Sequence, residues 1–81
     1  MNEQTIKDTV ISLLLNIAPD ADAASMTDET NFRTDLGMDS FDFLQLMTAV
    51  SEKFELDIPE QDYTHVLTLK SLTGYILAKK A

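Results

Sequence analysis

Ser40 is the hydroxyl in this 81-residue chain best placed to do chemistry. It follows Asp35-Leu36-Gly37-Met38-Asp39 and precedes Phe41-Asp42. The stretch before it is long and polar, and the stretch after it has helical periodicity. A serine at such a junction, with a glycine behind it that permits a backbone bend, should be exposed and reachable. It cannot activate itself, because a serine nucleophile needs an adjacent base. The one histidine, His65, falls in a separate short helix with no acid arranged to orient it. It reads as a surface or partly packed residue. The segment is not a Gly-x-Ser-x-Gly elbow either. The chain has no cysteine, which excludes a thiolate nucleophile, a thiolate zinc site and a disulfide framework. Asp28, Asp35 and Asp39 sit in a 12-residue window with no glycine at its sixth position and no glutamate at its twelfth, so an EF-hand fails and no specific metal site is expected. So short a chain leaves little room for a cleft of roughly 300–1,000 Å³ beside its core. An enzyme is therefore disfavoured. A serine displayed but not activated suits modification by another enzyme.

The elements that would hold Ser40 follow from apolar spacing. A chain this size buries roughly 60% of its unfolded surface, and 44% of its residues are hydrophobic. Ile6, Val10, Leu13, Leu14 and Ile17 make one stripe and predict a helix over about 3–17, widened by Ile11 and Leu15. Pro19 ends it. Residues 18–38 form a long loop, which Phe32 and Leu36 should pin to the core. A second helix is predicted over about 40–54, capped by Asp39 or Ser40. At about 100° per residue, Phe43, Leu46, Met47, Val50 and Phe54 share one arc, the core face. Phe41, Leu44, Thr48 and Glu52 fall on the far side. Phe41 and Leu44, flanked by acids, form a candidate docking patch; the competing reading buries them under the 20–38 loop. Ile58 should point inward, and Pro59 can open a short helix over about 60–66. Thr68 should cap a last helix over about 69–79, with Leu69, Leu72, Tyr75 and Ile76 inward. Gly74 within that helix suggests a close helix approach. Nothing alternates as a strand does. The expected fold is all-α: a four-helix bundle of three longer helices and one short, with a long loop between the first two. Residues 1–81 read as a single domain.

The charge narrows the partners. Net charge is −8, and residues 20–62 carry twelve acids against only Arg33 and Lys53. Nucleic acid is excluded as a partner, since it demands a basic face. An anionic membrane surface is disfavoured too. No apolar run approaches the roughly 18 residues of a membrane span, and the start lacks the features of a signal peptide. A cytoplasmic monomer is expected, meeting a partner through that partner's basic patch.

The segment Asp35-Leu36-Gly37-Met38-Asp39-Ser40, the core pattern of the second helix to Phe54, Ile58-Pro59 and Leu69–Ile76 together resemble the acyl carrier protein family. The resemblance covers nearly the whole chain, in order and spacing. It implies an acyl-carrier-protein-like bundle and a non-catalytic carrier. Ser40 would bear 4′-phosphopantetheine, installed from coenzyme A by a phosphopantetheinyl transferase with magnesium. The thiol of that arm would hold an acyl or aminoacyl group as a thioester, for fatty-acid, polyketide or other specialised biosynthesis. Asp39, Gly37 and Met38 would flank the cofactor, with Met38 bordering the arm or simply packing. Phe41, Asp42, Leu44, Thr48 and Glu52 would face acyl-loading and acyl-transferring enzymes with basic patches. Gln45, Ser51 and Lys53 stand where typical fatty-acid-synthesis carriers have acids, and Phe41 and Phe43 are bulkier than usual. These departures suggest a specialised carrier. Two alternatives remain at this point: Ser40 as a plain N-cap, and a non-carrier acidic adaptor that binds a basic partner through the second helix.

The acidic stretch 20–62 should repel itself. Raising ionic strength, or adding divalent cations, is expected to raise the thermal midpoint of the purified protein. A midpoint indifferent to both would show that the acids are compensated locally.

Overall fold

The computed structural model describes residues 2–80. α1 (Glu3–Ile17) begins at Asn2, whose side chain accepts from the Thr5 N–H at 2.8 Å. This satisfies one of the orphan donors of the first turn. Ile6, Val10 and Leu14 are fully buried along one stripe, with Ile11, Leu13 and Ile17 packed partly around them. The wide stripe has a cause: α1 packs against both α2 (Ser40–Phe54) and α3 (Leu69–Lys80). α2 buries the expected arc of Phe43, Leu46, Met47, Val50 and Phe54. Ile58, between α2 and the next element, points inward.

Between α2 and α3 lies a 3₁₀ helix, Glu60–His65, which Pro59 opens with φ −61°. It is tighter than an α-helix and stops one residue short of the expected end. Two interactions hold it. Tyr63 meets the Phe43 ring edge-on at 5.7 Å. The Tyr75 hydroxyl donates to Asp62 Oδ2 at 2.9 Å. Burial, then that bond to Asp62, keeps the Tyr75 phenol above its ordinary pKa. The four-helix architecture is thus as expected. α3 runs one residue further than the spacing predicts, and a further 3₁₀ turn, Ala23–Ser25, went unforeseen. That turn is too short to show periodicity; Asp22 makes it by accepting from the Ala24 N–H.

The loop over 18–39 is not slack. Phe32 is fully buried, 6.5 Å from the Phe43 ring. Its N–H donates to the Leu67 carbonyl at 2.8 Å. The carbonyls of Thr30 and Asp28 accept from the Leu69 and Lys70 N–H groups at 3.1 and 2.9 Å. The first two donors of α3, which no helical carbonyl can serve, are therefore served by the loop. Thr68 completes that end, its Oγ1 accepting from the Ser71 N–H. On the other side Lys7 bridges Glu3 at 3.0 Å and Asp28 at 2.6 Å, tying the loop to α1. The bonds to Asp28 and then Glu3 hold its ammonium above the usual lysine range.

One expectation is corrected. Gly74 does not mark a close helix approach: it is exposed, and a Cβ built there would have nothing within 4 Å. With its backbone helical and space around it, Gly74→Ala should raise stability by about 0.5–1 kcal/mol. Urea denaturation of the two proteins measures this, and an unchanged or lower midpoint would contradict it.

Candidate functional site

The site is built at the α2 N-terminus, where the loop ends. Gly37 turns the chain with φ +67°, a left-handed conformation open to glycine and strained for most other residues. Asp39 is the N-cap, its Oδ1 accepting from the Asp42 N–H at 2.9 Å. Ser40 is therefore the first helical residue, and the cap does not need its hydroxyl. Ser40 is exposed. The plain N-cap alternative for Ser40 gives way here, because Asp39 fills that role.

Met38 requires a correction. Its side chain is 3% exposed and belongs to the core, so it does not border the surface beside Ser40. The chain turns between Gly37 and the helix start so that Met38 points in, with Asp39 and Ser40 outward, and its side chain anchors the loop end. What Met38 offers the site is its carbonyl, which accepts from Arg33 Nε at 2.9 Å. An Nη of the same guanidinium lies 3.5 Å from Ser40 Oγ. Sequence reasoning passed over Arg33. The available signal was a lone cation in an acidic run, seven residues before the serine.

A groove of about 520 Å³ opens beside Ser40, lined among others by Arg33, Phe43, Leu44, Tyr63 and Thr64. So the chain does have room for a cleft of ordinary size, contrary to expectation. Its walls come from the loop, from α2 and from the 3₁₀ helix. His65 is exposed and is not among the residues that line this groove.

On the outer face of α2, Phe41 is 79% and Leu44 47% exposed. The loop therefore does not cover Phe41. Thr48 and Glu52 are exposed along the same side, and Asp42 is half-buried in the first turn.

A domain of this architecture has close counterparts. The solution structure of a candidate acyl carrier protein from Anaplasma phagocytophilum superposes with a TM-score of 0.88 at 25% identity, covering 100% of this chain and 94% of that one. The family model described as phosphopantetheine attachment site matches residues 4–76. An acyl carrier protein of Campylobacter jejuni (strain RM1221) is 35% identical over 72 residues, 89% of this chain and 91% of the relative. One from Guillardia theta is 34% identical over 84 residues, 100% of this chain and 99% of the relative. The chain belongs to the acyl carrier protein family. It is a non-catalytic carrier, and its prosthetic group is a covalently attached 4′-phosphopantetheine.

The residues present fit such a group. Ser40 supplies an exposed hydroxyl, Arg33 a cation beside it, and the first turn of α2 backbone donors that no helical carbonyl serves. Asp39 opposes an anion electrostatically, yet it is the residue that caps the helix. The two roles separate by substitution. Asp39→Ala should cost about 0.5–2 kcal/mol, while Asp39→Asn, a good cap without the charge, should stay within a few tenths. Equal losses in urea melts of the two variants would show that charge, not capping, sets the cost.

Proposed function

We propose that Ser40 is the attachment point and that residues 1–81 act as a single carrier domain. The carrying observation is that the Ser40 hydroxyl is exposed at the first position of α2 while Asp39 does the capping. In this reading Ser40 Oγ attacks the pantetheine-side phosphorus of coenzyme A's diphosphate within a phosphopantetheinyl transferase; the P–O bond to the nucleotide breaks, adenosine 3′,5′-bisphosphate leaves, and a base of the transferase takes the hydroxyl proton. The thiol that the cysteine-free chain lacks then resides on the arm. Loaded as a thioester, the arm delivers an acyl or aminoacyl group to partner enzymes. Ser40 needs no activation of its own, since the base belongs to the transferase.

The exposed strip Phe41, Leu44, Thr48 and Glu52, with Asp42 at its head, supports a docking role for α2. Two apolar side chains bounded by acids suit a partner with an apolar pocket inside a basic rim. Gln45, Ser51 and Lys53 dilute the acidity of this helix. Weaker steering with larger aromatic contact favours a dedicated partner set, so we place the chain in a specialised pathway of fatty-acid, polyketide or aminoacyl chemistry. We read it as a cytoplasmic monomer; among the described residues no helix is long and apolar enough to cross a membrane. The adaptor reading would use the same strip but leaves the displayed hydroxyl without a purpose.

Incubation with coenzyme A, magnesium and a promiscuous phosphopantetheinyl transferase should add the mass of one phosphopantetheinyl group, and Ser40→Ala should abolish the addition. Intact-mass spectrometry reads both. A bare wild-type chain under every transferase tried, or an unaltered yield from Ser40→Ala, would overturn the assignment.

A further inference from the structure

We propose that Arg33 is the phosphate-holding residue of this carrier, its guanidinium binding the phosphodiester on Ser40. This rests on Ser40 being the attachment point. Arg33 is held from both ends. Its backbone follows Phe32, which is fully buried, and its Nε donates to the Met38 carbonyl at 2.9 Å. Met38 is fixed in turn by its buried side chain and by its N–H, which donates to the Phe32 carbonyl at 3.3 Å. The guanidinium is thus braced over a closed turn, with an Nη facing Ser40.

That Nη lies 3.5 Å from Ser40 Oγ, at the limit of a hydrogen bond to a neutral hydroxyl. The hydroxyl by itself gives a weak reason for the placement. No carboxylate supplies another. Among the described residues the ion pairs are those of Lys7, and Arg33 has none. The neighbouring acids are turned toward the backbone: Asp35 Oδ2 accepts from the Asn31 N–H and Asp39 Oδ1 from the Asp42 N–H, and neither carboxylate forms an ion pair with Arg33. An arginine without an ion-pair partner, in a segment with twelve acids, points at the attachment oxygen.

Esterification replaces the hydroxyl proton by a phosphodiester, which carries one negative charge and two non-bridging acceptor oxygens. The planar guanidinium fork matches such an acceptor pair. The charge also needs a counterweight, because Asp39 is its immediate neighbour. Within residues 20–62 the other cation is Lys53, in the last turn of α2. Thirteen helical rises put it about 20 Å along the axis, beyond the screening length of about 8 Å. Arg33 is the cation of that segment within reach.

The test uses wild type, Arg33→Gln and Arg33→Lys, each as unmodified protein and after complete modification verified by mass. In wild type the Arg33 Nε–H resonance is expected to shift, and its exchange with water to slow, on modification. The change in thermal midpoint on modification should be about 2–5 °C more unfavourable in Arg33→Gln than in wild type at low salt. Arg33→Lys should recover part of the difference, since it keeps charge without the fork. Referring each variant to its own unmodified form cancels the lost bond to Met38. An unmoved Arg33 resonance overturns the proposal, and so does an equal midpoint change in wild type and Arg33→Gln. If Arg33→Gln does not fold, the wild-type resonance decides alone. Full added mass with an unmoved resonance removes only the role of Arg33; no added mass removes the Ser40 assignment itself.

Discussion

The burial of Phe32 and the hydrogen bonds around it fix the return of the long loop, and the site depends on that return. A loop of some twenty residues has a closure entropy to overcome and offers few apolar groups to do so. Phe32 places a full aromatic ring against Phe43. The loop backbone then serves two orphan donors of α3 through Thr30 and Asp28. Each side supplies what the other lacks: α3 needs acceptors at its N-terminus, and the loop needs a fixed surface. From this fastening the chain has only a short path to Gly37, so the turn, the cap and Ser40 arrive in a set place.

Charge and position are in tension at that place. Asp39 satisfies an N–H of α2 and suits the helix dipole, yet it stands beside the oxygen assigned to carry a phosphate. Asp35 likewise shapes the loop by accepting from Asn31. The acids here are therefore partly structural, which limits how far their charge could be reduced without loosening the turn. In the role proposed for it Arg33 offsets that charge locally, and among the described residues it has no ion pair that would neutralise it beforehand.

Much of this was legible in the sequence. The stripes of α1 and α2 were complete, because each helix is long enough for several turns of periodicity and each buries one face against a continuous core. Asp39-Ser40 and its glycine were legible because capping and left-handed turns demand few residue types. The 3₁₀ turn at Ala23–Ser25 was not, since three residues carry no period. Gly74 misled because a glycine within a helix signals either close packing or simple tolerance, and only the neighbours distinguish them. Met38 misled because adjacency in sequence says nothing about side-chain direction at a turn. Arg33 was overlooked because a lone cation in an acidic run reads as solvated surface.

From composition and spacing alone came an acidic, cysteine-free helical bundle with a displayed serine at the head of its second helix. These are local properties: periodicity, caps and turn residues act over one or two turns of chain. Tertiary structure decided which loop carbonyls serve α3, that Met38 faces inward, that a groove opens beside Ser40, and that a guanidinium seven residues away comes within 3.5 Å of the Ser40 oxygen. Those relations depend on how the chain closes on itself in three dimensions, and packing of distant residues such as Phe32 and Leu67 sets that closure.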